Sequence, residues 1–138
     1  MKMIKKRFFL GLGLMLACIA PTMAHEPVEK VKLNFEHAIA NIPGKSLIAL
    51  EVDYPPGGAS IPHTHAKSSF IYAYVVEGSI ESKVNNDKPK IYQAGQSWFE
   101  EPGAVHSISR NVSKTKPAKL LAVFVVDTDD KELVTPVK

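Results

Sequence analysis

Apolar and polar residues alternate with a period of two over most of the chain beyond residue 45. From Ser46 to Tyr54, Ile48, Leu50, Val52 and Tyr54 fall on one side and Glu51 and Asp53 on the other, until Pro55-Pro56-Gly57-Gly58 ends the pattern. Phe70 to Val76 is an uncharged β-branched and aromatic run that stops at Glu77-Gly78, and Ile80 to Val84 continues after it. Asn85-Asn86-Asp87-Lys88 reads as a hairpin tip, Ile91-Tyr92 as a short strand, Ala94-Gly95 as a turn, and Ser97 to Glu100 as a strand halted by Pro102-Gly103. His106 to Asn111 and Leu120 to Val126 complete the series, separated by the polar loop Ser113-Lys114-Thr115-Lys116-Pro117. No window has the i, i+3, i+4, i+7 spacing of an amphipathic helix, and no fixed-period repeat is present. About eight to ten short strands with Gly/Pro turns predict an all-β sandwich or small barrel. The barrel is expected over residues 46–126, preceded by a leader at 25–45 in which Val28 to Asn41 reads as an edge strand with a turn. Asp127 to Lys138 reads as a polar C-terminal tail.

Composition adds an export signal. The 138 residues, 45% hydrophobic and 22% charged, suffice for one domain, with a formal charge of +3. Lys2, Lys5, Lys6 and Arg7 precede an apolar run from Phe8 to Ala20, and Thr22-Met23-Ala24 offers small residues where a signal peptidase reads. Residues 1–24 are therefore expected to be a cleaved signal peptide, directing the protein to the periplasm or outside the cell. Without them 13 Lys+Arg face 14 Asp+Glu, so the basic balance belongs to the signal. No basic stripe remains for nucleic acid, and the apolar run is too short to span a bilayer core of roughly 30 Å. Cys18, the single cysteine, leaves with the signal, which excludes disulfides. Acylation at Cys18 as a lipoprotein is the alternative, and Lys6-Arg7-Phe8-Phe9-Leu10 resembles a twin-arginine signal with one Arg replaced by Lys.

Chemistry is concentrated in the histidines. In a strand, residues i and i+2 share a face with Cα atoms roughly 6.5–7 Å apart, so the imidazoles of His63-Thr64-His65 can converge on one metal ion about 2 Å from each nitrogen. His106 supplies a third imidazole where a strand leaves the Pro102-Gly103 turn. Gly57, His63-x-His65 and Glu77-Gly78, followed by Gly95, Pro102-Gly103 and His106, resemble the two motifs of the cupin superfamily. The resemblance covers residues 57–106. It implies a small double-stranded β-helix, or jelly-roll, barrel binding one divalent metal through His63, His65 and His106, and a homodimer paired through edge strands.

The motifs also depart from that pattern. Where cupins carry a ligating Glu seven residues before the closing Gly, this chain has Ile71, and the usual first Pro of the second-motif turn is Glu101. The Asn that follows the last His comes one residue late, as Asn111. Three neutral imidazoles leave a divalent metal at +2, which favours anionic bidentate ligands such as an enolate and suits Fe(II), Zn(II), Mn(II), Ni(II) or Cu(II). Glu100 or Glu101 can supply the missing carboxylate from another strand. The stretch from Phe99 to His106 resembles that of small three-histidine dioxygenases that cleave β-diketones, in which a Glu six residues before the last His sits close to the metal. That resemblance favours Glu100, as a ligand, an orienting group or a general base, and Fe(II) as the metal.

Phe70, Tyr72, Tyr74, Trp98 and Phe99 are expected to be mostly core. Alternation separates Phe70, Tyr72 and Tyr74 from Ile71, Ala73 and Val75 without saying which set faces inward. His25 would begin the mature chain, His37 reads as a surface residue, and Asn111-Val112-Ser113 matches a glycosylation sequon. Three functions compete: a metal-dependent dioxygenase of small molecules with Glu100 managing a proton, a non-catalytic small-ligand module, and a Zn-dependent isomerase or lyase.

Overall fold

A computed structural model describes residues 28–137, so the expected signal peptide and His25 lie outside the described residues. Ten strands follow in order: β1 Lys30–Ala38, β2 Lys45–Tyr54, β3 His63–His65, β4 Phe70–Glu77, β5 Ser79–Val84, β6 Lys90–Gln93, β7 Ser97–Glu100, β8 Val105–Asn111, β9 Ala118–Asp127 and β10 Val134–Pro136. They form two five-stranded antiparallel sheets, ordered β1-β2-β9-β4-β7 and β10-β3-β8-β5-β6. The fold is all-β, as the alternation predicts, and its two sheets form the jelly-roll barrel that the resemblance implies. None of the described residues forms a helix long and apolar enough to cross a membrane.

The pleat selects the core. Along β9, Ala118, Leu120, Ala122, Phe124 and Val126 are buried and the residues between them are not. On β4 the inward set is Ile71, Ala73 and Val75, whereas Phe70 and Tyr72 stand on the outer face. The expectation that the aromatics fill the barrel is thus corrected. Trp98 alone of the five is buried; Phe70 and Phe99 stack outside with ring centroids 5.9 Å apart. Space explains the choice, because Ile71, Ala73 and Val75 leave the interior open where ring side chains would fill it. Two apolar clusters result, one around Val52, Tyr54, Val75, Ile80 and Leu120, the other around Ile48, Ile71, Phe124 and Val126, and a cavity borders both.

The ends of the chain depart from the simple reading. The polar tail contains β10, whose Val134 and Pro136 pair with His65 and His63 of β3, so it covers the edge of the strand that carries the histidines. Its short length and acidic approach, Asp129-Asp130-Lys131-Glu132, hid it from a pattern search. β1 pairs with β2 along its whole length, with a bulge between Leu33 and Phe35, and all nine of its residues are exposed.

Two motif residues have clear structural work. Gly78 turns between β4 and β5 at φ 75°, where a Cβ would lie 2.8 Å from both the Ala118 Cβ and the Pro117 carbonyl oxygen. Asn111 is 2% exposed. Its amide donates to the Lys116 and Pro55 carbonyls at 2.7 and 3.1 Å, and its oxygen accepts from the Ser113 backbone N–H at 2.9 Å. With both ends of the amide occupied and buried, the sequon is a loop-tying device in the folded chain.

Candidate metal centre

β3 is held between β10 and β8, and that pairing turns His63 and His65 to the same inner face. His106 sits directly opposite His63 in the β3–β8 ladder. The ring centroids of His63 lie 4.7 Å from those of His65 and 5.2 Å from those of His106, and one nitrogen from each of the three falls within 4.8 Å of the others. All three imidazoles are at most 8% exposed. The residues that the spacing of the motifs singled out are therefore one buried cluster.

Backbone groups set their tautomers. The His63 Nδ1–H donates to the Ile61 carbonyl at 2.7 Å, and the His65 Nδ1–H donates to the Leu133 carbonyl at 3.3 Å, just ahead of β10. Each therefore offers its Nε2 lone pair to the cavity, as a metal-ligating histidine does. His106 is anchored through Nε2, which lies 2.9 Å from the Ser82 Oγ on β5, and turns Nδ1 toward Glu100. Ser82, the Ile61 and Leu133 carbonyls and the indole of Trp98 are supporting groups that sequence reasoning missed, since nothing in local spacing links them to the histidines.

Glu100 occupies the end of β7, 2% exposed, directly across the β4–β7 ladder from Ile71. Residues paired in this way share a face of the sheet with Cβ atoms about 5 Å apart. Glu100 thus places a carboxylate on the same face as Ile71 from the neighbouring strand. The Trp98 indole N–H donates to Glu100 Oε1 at 3.1 Å, His106 Nδ1 is 3.3 Å from the same oxygen, and His65 Nε2 is 3.2 Å from Oε2. Glu101, the other candidate, is exposed, as is His37.

Two buried atoms at this centre make no hydrogen bond: His65 Nε2 and Glu100 Oε2. With Nδ1–H committed to Leu133, the imidazole presents a lone pair to a carboxylate oxygen 3.2 Å away. Two facing buried lone pairs are satisfied by a shared proton or by a bound metal ion. The donor set of three imidazoles and one carboxylate fits a divalent transition metal.

Electrostatics keeps the site ready to bind. Burial pushes the His106 imidazole down to about 4, with Glu100 opposing, and burial likewise lowers His63 against its bond to Ile61. Burial alone would raise Glu100, but its contacts with the His65 and His106 imidazoles and with the Trp98 N–H outweigh that and hold the carboxyl below its ordinary value. At neutral pH the His63 and His106 imidazoles are unprotonated and the Glu100 carboxylate is ionised, which leaves these donors free to bind a metal. An unfolded histidine titrates near 6.5, so between about 4 and 6.5 the unfolded chain binds more protons than the folded one, and stability falls as pH drops through that window. His106 alone should cost the metal-free protein about 2–3 kcal/mol at pH 4.5 relative to pH 7. Urea unfolding of metal-free protein at the two pH values should show a clearly lower midpoint in acid, and equal midpoints would contradict the buried neutral imidazoles.

The cluster opens on a cavity of about 370 Å³, the size of small-ligand sites, with walls formed largely by Leu50, Val52, Ile71, Leu120 and Phe124. A cupin-domain family model matches residues 50–124, just over half of the chain, and that span contains the three histidines and Glu100. The chain belongs to the cupin family. This cupin is 31% identical over 93 residues to germin-like protein subfamily 2 member 2 of Arabidopsis thaliana, a match covering 62% of the chain and 41% of the relative. It therefore spans about two fifths of that protein. Among solved structures, an uncharacterized double-stranded β-helix protein from Klebsiella pneumoniae superposes with a TM-score of 0.62 at 15% identity, covering 80% of this chain and 84% of that one. Oxalate oxidase in complex with the substrate analogue glycolate gives 0.59 at 22% identity, covering 79% and 55%. These likenesses agree with the double-stranded β-helix barrel.

Proposed function

We propose that this cupin is a small-molecule metalloenzyme of dioxygenase type, holding Fe(II) through His63, His65 and His106. The observation that carries the reading is the buried, ionised Glu100 facing the imidazoles at the end of an apolar cavity. Bound Fe(II) would supply Lewis acidity toward a bidentate, enolate-like substrate and electron transfer to dioxygen. The chain's own contribution is the rest. The aliphatic walls exclude water and bury the substrate's carbon skeleton. Glu100 Oε2, free of hydrogen bonds, accepts the proton released when a C–H acidic substrate becomes its enolate, while Trp98 fixes the other oxygen. Ser82 and the Ile61 and Leu133 carbonyls keep the imidazoles in register.

The same reading takes residues 1–24 as an export signal removed before the protein works in the periplasm or outside the cell, as a homodimer acting on a small molecule rather than on nucleic acid. Oxygen uptake by the Fe(II)-loaded protein with a panel of β-diketones tests the activity. The expected result is substrate-dependent uptake lost on metal removal. Uptake insensitive to chelation overturns the reading, and thermal stabilisation by a diketone without turnover would favour a binding module instead.

A further inference from the structure

Glu29 is a carboxylate that no motif singles out. It lies outside every strand, yet it lines the cavity, and its Oε2 is fully buried without a hydrogen-bond partner. Its position is fixed from both sides: Val28 bridges to Ala59, and Lys30 opens the β1 ladder opposite Asp53. Glu29 is thereby held beside Ser60 and Tyr54, the residues that follow Ala59 and Asp53.

Those two residues belong to a hydroxyl chain in the same cavity wall. The Tyr54 hydroxyl is 2.9 Å from the Ser60 Oγ and 2.7 Å from the Ser109 Oγ, with Tyr54 and Ser109 both buried. Two hydrogen bonds among three hydroxyls leave one proton and several lone pairs unused. The hydrogen bonds of this hydroxyl chain run among its own three hydroxyls, and none of the three residues belongs to the histidine cluster. Ser109 follows His106 by three residues on β8 and Ser60 precedes His63 by three, offsets of at most about 10 Å. Most of the other lining residues are apolar, with Val52, Ala73 and Leu120 among them.

We propose that Glu29 with the Tyr54–Ser60–Ser109 hydroxyls forms a second recognition pole, which takes a hydroxyl or protonated amine at the far end of the ligand whose other end faces the histidines. A buried carboxylate oxygen can only accept, so the ligand must donate there. The ligand class is a short-chain bifunctional molecule: oxygen chelator at one end, hydrogen-bond donor at the other, apolar between. This rests on the metal reading for the chelating end only.

The test is calorimetric binding of three hexanehydroxamate probes that differ only at carbon 6, bearing hydrogen, hydroxyl or ammonium, to metal-loaded and metal-free protein. The wild type should bind the hydroxyl and ammonium probes at least tenfold more tightly than the unsubstituted one. Glu29→Gln should abolish most of the ammonium preference, and Tyr54→Phe should weaken the hydroxyl preference, both with metal content unchanged. Equal affinities for the three probes in a protein whose affinity depends on metal overturn the second pole and leave the metal reading standing. A retained, Glu29-dependent preference that ignores metal does the reverse. Absence of binding by every probe overturns both.

Discussion

His106→Ala will remove stoichiometric binding of divalent metal, lowering affinity by more than about 100-fold, the upper end of what losing a merely supporting group costs a metal site. His63 and His65 would remain as a two-imidazole clamp on β3, but the nitrogen across the β3–β8 ladder would be gone, and with it the third corner of a cluster whose nitrogens all lie within 4.8 Å. The measurement is metal content after dialysis against a graded chelator, followed by elemental analysis. His37→Ala is the control, since His37 is exposed on β1 and contributes nothing to the cluster. Equal metal content in wild type and His106→Ala would sink the site. A folding defect is separable, because the truncation also frees the Ser82 hydroxyl and should cost stability on the order of 1–3 kcal/mol without unfolding the barrel. Circular dichroism and an urea midpoint on the same samples distinguish a folded, metal-free variant from an unfolded one.

The legibility of this site in the sequence divides along the line between local and non-local order. His63-x-His65 is a local pattern whose geometry follows from strand pleating alone, and the alternations of β2 and β9 place Val52, Tyr54, Leu120 and Phe124 inward by the same rule. His106 was found because a turn of Pro102-Gly103 and a family-like spacing stand in for the missing spatial information. The choice of inward face on β4 was undecidable from within the strand, because Phe70, Tyr72 and Tyr74 are as apolar as Ile71, Ala73 and Val75. It is decided by what the opposite sheet leaves room for. β10 escaped for a related reason, being three residues long and meaningful only as the partner of β3. Glu29, Ser60 and Ser109 carried no signal at all, since their meeting with Tyr54 depends on three separate chain crossings.

At position 71, where the motif departs from the family pattern, a carboxylate is still present on the same face of the sheet, carried by the neighbouring strand. Ile71 and Glu100 are cross-strand partners, so moving the carboxylate from β4 to β7 shifts it by one ladder position while keeping it on the cavity face. The new location has a consequence that the old one lacks. On β7 the carboxylate lies two residues from Trp98 on the same face, and the indole N–H can hold Oε1 at 3.1 Å while Oε2 stays free. A carboxylate so divided is suited to proton transfer rather than to chelation through both oxygens.

Glu100→Gln separates these roles with the second large effect. The substitution preserves volume and an oxygen for the Trp98 N–H to reach, but removes the charge and the basic oxygen beside His65. If Glu100 moves a proton, diketone-dependent oxygen uptake should fall by about 10²–10⁴-fold, the range general-base groups contribute, with iron content within twofold of wild type. A tenfold or greater loss of iron with turnover per bound iron preserved would instead make Glu100 a ligand. The reciprocal variant Glu100→Ile/Ile71→Glu sharpens the result. It returns a carboxylate to the same face from β4, opposite Glu100's present place, while leaving Trp98 across from Ala73. Iron content should match wild type, but turnover should recover only in part, because the indole N–H no longer holds the carboxylate with one oxygen free. Full recovery would show that charge alone suffices at this position and that Trp98 is merely part of the core.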